Sequence, residues 1–255
     1  MSQTYGDVDA SPDPGEAVAW QERIDRWPQV VAYKARMREL VGGAAPVLDL
    51  GCGPGADAAL VGTDRCIGID RSRAMCATAA ARGVAVTTGD AHALPIATGS
   101  LGAVRADRVL QHLADPAGVL REAVRVLRPG GRLVVADPDQ ESLVIEVPGV
   151  DRHLVDRVKA LRRDIGYRNG RLASTLPAAF AAAGLGDVTI DAFPLCLTDP
   201  DDAFGLPDWP RLWQHHHPFT GDELDAWDRG MDRARSNGGF VYALLYFVVS
   251  GSKLR

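Results

Sequence analysis

No stretch of this chain is apolar for long enough to cross a bilayer. The longest unbroken run, residues 240–249, is ten residues, about half of the roughly 20 that a membrane helix needs. The first residues, Met1-Ser2-Gln3-Thr4-Tyr5-Gly6-Asp7, carry neither the basic start nor the apolar centre of a secretory signal. A cytoplasmic protein without a membrane span is expected. Cysteine is scarce, and Cys52, Cys66, Cys76 and Cys196 show no Cys-x-x-Cys spacing. Neither a structural zinc site nor a disulfide framework is indicated. There is no lysine- or arginine-rich block, and the formal net charge is −5. Both speak against a nucleic-acid partner, because phosphate binding needs clustered positive charge.

What is present is ordinary globular composition, 46% apolar and 24% charged, in 255 residues. That length suits one α/β domain with additions and a sizeable core. The informative stretch is Val47-Leu48-Asp49-Leu50-Gly51-Cys52-Gly53-Pro54-Gly55-Ala56-Asp57. Val47, Leu48 and Leu50 read as a buried strand. Gly51, Gly53 and Gly55 allow a tight turn and a close ligand approach. Residues 56–61 suit a helix, whose free N–H groups would face the ligand. Cys52 fills a place in the turn that needs a small side chain.

Two cofactor classes fit. Gly51-x-Gly53-x-x-Ala56 satisfies the dinucleotide fingerprint, and Asp70 ends a second strand nineteen residues after Gly51. An acid there can accept hydrogen bonds from both ribose hydroxyls. Asp49 shifts the balance: a carboxylate is awkward beside a pyrophosphate and suits a ligand with a cationic amino group.

On these residues the sequence resembles the class I S-adenosylmethionine (SAM)-dependent methyltransferases. Three further segments follow in that family's order. Ile67-Gly68-Ile69-Asp70-Arg71-Ser72 is similar to the ribose-binding strand end. Thr88-Gly89-Asp90-Ala91-His92-Ala93-Leu94-Pro95 is similar to the adenine-binding segment. Residues 127–137, beginning Leu127-Arg128-Pro129-Gly130-Gly131, resemble the turn and fifth strand. The resemblance covers roughly residues 47–137. It implies a Rossmann-like α/β fold: a seven-stranded, mostly parallel sheet with an antiparallel last strand, helices on both faces, and helical lid and cap insertions. It also implies SAM as cofactor and S-adenosylhomocysteine (SAH) as product. Asp49 and the turn would hold the methionine end, Asp70 with Arg71 and Ser72 the ribose, and Gly89, Asp90 and Ala91 the adenine.

The remaining elements follow from patterning. Residues 1–15 read as a polar arm, and Glu16 to Val41 as helices broken at Pro28, with Trp20, Ile24 and Trp27 forming an apolar stripe. That stripe either docks on the domain or forms a lid. Residues 1–41 are accordingly expected as arm and lid, and 42–255 as the methyltransferase domain, with cap segments at about 139–168 and 194–239. Tyr33 and Arg36 are candidates to reach the SAM carboxylate. Strands at 65–70, 84–88 and 101–106 alternate with helices at 72–82 and 116–127, which implies right-handed parallel crossovers. Gly102 stands where the family often has aspartate. Ligands bind beyond the carboxyl ends of such strands, so Asp49, Asp70 and Asp90 are expected to converge on one crevice, and Asp107 at the end of the fourth strand is a further cofactor-binding candidate. Three convergent carboxylates also suit a divalent metal, but the glycine turn favours one extended ligand, and no metal is expected.

His112 follows the fourth strand and is either a nucleophile-orienting group or a hydrogen-bonded structural residue. Asp137-Pro138-Asp139 is expected to close the fifth strand at the crevice. Asp137 and Asp139 are then candidates for substrate contact or general base work. Further on, a helix over 151–165, another over 172–184, a sixth strand over 187–193 and a last strand over 240–250 are expected. Between those strands, Trp209, Trp213 and Phe219 are candidates to wall a substrate pocket. His215, His216 and His217 cannot all face one metal if extended.

The expected function is methyl transfer to an O, N or C atom of a small-molecule acceptor that is lipid-like, quinone-like or a specialised metabolite. The protein would act as a monomer or homodimer. The alternatives are an NAD(P)-dependent oxidoreductase and a non-catalytic SAM-binding protein.

Overall fold

The computed structural model describes Asp9 and residues 13–254. The chain enters through α1 (Pro14–Asp25), whose first turn is capped by the Asp13 carboxylate accepting from the N–H groups of Gly15 and Glu16. Pro28 opens α2 (Pro28–Val41), where its missing N–H costs nothing. Then follow β1 (Val47–Leu50), α3 (Ala56–Val61), β2 (Cys66–Asp70), α4 (Arg73–Ala81), β3 (Ala85–Thr88), β4 (Leu101–Asp107) and α5 (Pro116–Val126). The second half holds β5 (Leu127–Glu146), α6 (Arg152–Asp164), α7 (Leu176–Ala182), β6 (Leu185–Leu197), α8 (Trp209–Leu212), α9 (Gly221–Asn237) and β7 (Val241–Lys253).

The seven strands form one sheet in the order β3-β2-β1-β4-β5-β7-β6, six of them parallel and β7 antiparallel. The switch in strand order lies between β1 and β4, each of which follows a different side of the sheet outward. In a doubly wound sheet that is where ligands bind, beyond the strand ends. β1 is buried along its whole length, as a central parallel strand must be. Alternation sorts its side chains: Leu48 and Leu50 join the cluster of Val104, Val119, Leu120, Leu133, Leu176 and Phe180. Asp49 therefore faces the opposite side, as does Arg105 on β4, which lies across from Asp49 in register and meets α2 and α3 through Met37 and Asp57.

One expectation needs correction. Asp137-Pro138-Asp139 does not close the fifth strand, which runs on to Glu146. Pro138 lies within that strand, and the register shift sits at its start instead, between Leu101 and Ala103 on the facing β4.

The described residues fall into two compact units. The larger contains residues up to Asp137, Leu172–Phe193, and those from Tyr246 onward; the smaller contains Pro138–Arg171 and Pro194–Leu245. β5, β6 and β7 each contribute to both. In the smaller unit α6 presents Leu154, Val155, Val158 and Leu161 inward, and Trp209, Trp227 and Tyr242 are almost fully buried. The indole N–H groups of Trp209 and Trp227 donate to the carbonyls of Phe204 and Pro207, so neither ring buries an unsatisfied donor. α9 begins with a reciprocal capping box between Thr220 and Glu223.

Phe180 has no exposed surface and packs in the larger unit's cluster. Phe180→Ala should cost about 3–5 kcal/mol, read as a lowered urea midpoint with an unchanged slope.

Candidate functional site

Gly51, Gly53 and Gly55 all adopt left-handed conformations, with φ of 66°, 52° and 80°, which a Cβ would strain. Space forbids a side chain as well. A Cβ on Gly51 would lie 2.5 Å from Val109, one on Gly53 2.9 Å from the Gln21 amide of α1, and one on Gly55 2.7 Å from Ala79 of α4. The turn's own N–H groups are used within the protein. The Gly51 and Cys52 N–H groups donate to the Ile69 carbonyl, that of Gly53 to the Asp70 carboxylate, and that of Gly55 to the Cys52 carbonyl. Pro54 has none to offer. The donors of the turn itself thus face its own neighbours, while the N–H groups that open α3 are those the sequence pointed to.

Asp70 ends β2 beside this turn. Its two oxygens accept from Gly53 N–H and Ser72 N–H, both at 2.9 Å. Burial raises its pKa, and those N–H groups restrain the rise. Ser72 caps α4 by accepting from Met75 N–H, and its hydroxyl donates to Asp9, which also takes the N–H of Arg73. Arg71 is exposed. Gly89 N–H donates to the Asp70 carbonyl, which places the start of the Gly89-Asp90-Ala91 segment at the β2 tip. The Asp90 side chain is exposed and accepts from the N–H and ring of His92, while Ala91 packs against the core. Cys52 is buried with its sulfur against Gly68, and burial pushes its thiol pKa far up. It is a packing residue.

The three aspartates expected to converge, and the further candidate Asp107, therefore divide. Asp70 stands beside the turn and Asp90 is at the surface, whereas Asp49 and Asp107 belong to a buried ion cluster. Lys34 of α2 places its ammonium 2.8 Å from Asp25, 2.7 Å from Asp57 and 3.2 Å from Asp107. Three carboxylates from α1, α3 and β4 thus meet one cation with three protons. Arg105 has no exposed surface and lies 3.3 Å from Asp57 and 3.6 Å from Asp49. Arg108, at φ 58°, reaches Asp25 at 2.6 Å, and the Tyr33 hydroxyl donates to Asp107 at 3.0 Å. Arg36, like Tyr33 a candidate for a ligand carboxylate, instead pairs with Asp191 and Glu39. Burial opposes the charge on Lys34, but Asp107, Asp57 and Asp25 outweigh it and its pKa is raised. Burial also opposes the charge on Asp57, yet Arg105 and Lys34 hold its pKa well below the usual carboxylate range. Burial dominates at Asp49 and pushes it up to about 6 against the pull of Arg105. Motif reading missed Lys34, Asp25, Asp57 and Arg105. A signal existed: Asp49 and Arg105 are lone charges within two apolar strands.

The cluster also anchors α1 over the turn. Arg82, at the end of α4, donates to the Pro54 carbonyl at 2.7 Å and pairs with Glu22 of α1. A cleft of about 280 Å³ opens here, bordered by Glu22, Arg38, Asp57 and Arg82 among others.

Of the candidate catalytic groups, His112 is partly buried in the short turn Leu110–His112. Asp137 is fully buried: one oxygen accepts from Leu110 N–H, and the other has no partner. Burial and the nearby Asp107 raise its pKa far above the usual range. Gln111, also buried, has an unpartnered side-chain oxygen. Asp139 lies in the smaller unit, buried, with one unpartnered oxygen and a pKa raised by burial. Trp209, Trp213 and Phe219 are buried there too. The rings of His215 and His216 lie 4.1 Å apart. Among the described residues no group of three His, Cys, Asp or Glu side chains is placed to hold a metal, and no helix is long and apolar enough to cross a membrane.

Residues 48–135 match the family model described as a methyltransferase domain. With the fold and glycine turn above, this match identifies residues 48–135 as a methyltransferase domain, similar to those of the class I SAM-dependent methyltransferases. It is 40% identical over 208 residues to an uncharacterized 37.1 kDa protein of transposon TN4556 from Streptomyces fradiae, which covers 74% of this chain and 59% of that one. It is 43% identical over 93 residues to a demethylmenaquinone methyltransferase of Mycolicibacterium vanbaalenii, covering 36% of this chain and 41% of that enzyme. The chain thus spans well under two thirds of either relative. Among solved structures, the YcgJ protein of Bacillus subtilis superposes with a TM-score of 0.63 at 19% identity, covering 88% of this chain and 99% of that one.

Arg105→Met should destabilise the fold by about 3–5 kcal/mol at pH 7, because it strands the buried Asp49 without its cation, while Asp57 keeps Lys34. The pH dependence has a definite sign. Asp49 is raised in the folded state to about 6, above its ordinary value, so stability from its protonation grows as pH falls through 6. The deficit of the variant relative to the parent should therefore shrink between pH 7 and pH 5, measured by urea unfolding at both.

Proposed function

We propose that this protein binds SAM at the β1 turn and transfers its methyl group to an O, N or C atom of a small organic acceptor. The observation that carries the reading is the pairing of the Cβ-free, donor-poor turn at Gly51–Gly55 with the Asp70 carboxylate at the next strand tip. Carbonyl acceptors suit a cationic amino group, and a carboxylate suits two ribose hydroxyls. The N–H groups of Gly51, Cys52, Gly53 and Gly55, on which a pyrophosphate would call, are already used within the protein, leaving those that open α3.

When bound, SAM supplies a methyl group activated by its sulfonium charge. The chain's share of the work is positioning and exclusion of water. In this proposal the Gly51 and Gly53 backbone receives the methionine end, Asp70 with Ser72 the ribose, and Gly89, Asp90 and Ala91 border the adenine. Asp49 is assigned a different part from direct contact: paired with Arg105, it supports the turn from beneath. α1, with Gln21 against Gly53, serves as the cover over the turn. Asp137 positions the Leu110–His112 turn by accepting the Leu110 N–H. Asp139, which keeps some exposed surface where Asp137 has none, is the better placed candidate for general base work.

The acceptor site is assigned to the smaller unit, whose buried Trp209 and Trp213 supply aromatic surface. The similarity to a demethylmenaquinone methyltransferase makes a quinone-like ring one candidate acceptor. The formal charge of −5 favours a small molecule over nucleic acid.

Calorimetric titration tests the donor assignment. SAH should bind and NAD should not. Asp70→Ala should weaken SAH binding by about 1–3 kcal/mol, the cost of losing hydrogen bonds to a charged acceptor. A folded Asp70→Ala protein with undiminished affinity would remove the ribose assignment.

A further inference from the structure

Arg162 breaks the pattern of its helix. On α6 the inward positions are Leu154, Val155, Val158 and Leu161, and Arg162 continues that stripe where an apolar residue belongs. Its residue is 8% exposed. The guanidinium carbon lies 4.3 Å from the centre of the Trp209 ring and 4.4 Å from that of Tyr167. Its Nη2 donates to the Tyr167 hydroxyl at 2.5 Å, and it also bonds the Tyr242 hydroxyl. No carboxylate of the described residues lies within ion-pair distance of it, and its Nε has no partner. A buried cation without an anion is costly, since ring faces and neutral hydroxyls replace only part of its hydration.

The same unit holds the converse deficit. Asp139 and Gln140 on β5 are buried, and each has a side-chain oxygen without a donor. Gln140 N–H bonds the Gly170 carbonyl, which ties that stretch of β5 to the loop following Tyr167. The Arg162 Nε lacks an acceptor, and Asp139 and Gln140 each carry one oxygen that lacks a donor.

We infer that the smaller unit binds an organic monocarboxylate bearing a hydroxyl or amino group: its carboxylate meets the Nε–Nη2 edge of Arg162, and its donor meets Asp139 or Gln140. This rests on the methyltransferase reading and narrows its acceptor class. The ligand charge follows from the site. One guanidinium balances one carboxylate, with two parallel N–H···O contacts along one edge. A phosphate dianion would bring excess charge near Asp139. A neutral quinone would leave Arg162 uncompensated. Tyr167 and Trp209, stacked on the guanidinium, fix its plane and so the direction of approach.

The test uses the full chain saturated with SAH, and two probe pairs: 4-hydroxybenzoate with 4-hydroxybenzamide, and 4-hydroxyphenylacetate with its amide. Binding is followed by tryptophan fluorescence and calorimetry. At least one acid should bind about tenfold or more tighter than its amide, and Arg162→Gln should abolish that preference while Arg162→Lys keeps part of it. Acids that bind no better than their amides would overturn the inference, as would a preference that survives in Arg162→Gln. If Arg162→Gln does not fold, the acid-to-amide comparison in the parent protein decides alone. Titration of SAH is scored separately. SAH binding without acid preference removes this inference only, whereas no SAH binding removes the methyltransferase reading itself.

Discussion

The donor half of this protein is built over a buried cluster of charge. Lys34 joins Asp25, Asp57 and Asp107, and Arg105 joins Asp57 to Asp49. These residues come from α1, α2, α3, β1 and β4, so one connected set of ion pairs ties the glycine turn's own strand and helix to the N-terminal helices. Burying such charges gives little net stability, because desolvation offsets the attraction. What they give is position. Any displacement of α1, α2 or the β4 tip separates a buried charge from its partner, and that cost is steep.

This explains how a turn so rich in glycine is held in one conformation. Gly51, Gly53 and Gly55 have no side chains with which to fix themselves. The restraint comes from around them: Ile69 and Asp70 accept their N–H groups, Val109 fills the space above Gly51, and Arg82 holds the Pro54 carbonyl. Asp70 serves twice, since the carboxylate assigned to a ribose also secures Gly53. The turn and its acid form one hydrogen-bonded unit, and a ligand bridging them would meet a surface already in place.

The two units follow opposite electrostatic habits. In the larger, buried charges are matched, with cations and carboxylates interleaved. In the smaller, Arg162 is sandwiched by aromatic rings and lacks an anion, while Asp139 keeps an unsatisfied oxygen. Matched charge suits a scaffold, whereas unmatched charge suits a place where a ligand completes the balance.

Local pattern determined much of this protein. The strand–turn–helix at 47–61, the strand ending at Asp70, the helix breaks at Pro28 and Pro116, and the amphipathic helix after Asp151 all follow from periodicity and capping, which act between near neighbours. The mostly parallel seven-stranded sheet and its antiparallel last strand were legible through the family resemblance. Tertiary structure alone decided three things. It ran β5 past Pro138 to Glu146, because the strand is set by its pairing partners. It turned Asp49 to Arg105 and Asp107 to Lys34, partners up to 73 positions apart in the sequence, which no local pattern links. It left Arg162 among rings with no anion. Periodicity assigns a residue to a face, but which charges meet on that face depends on elements distant in the chain.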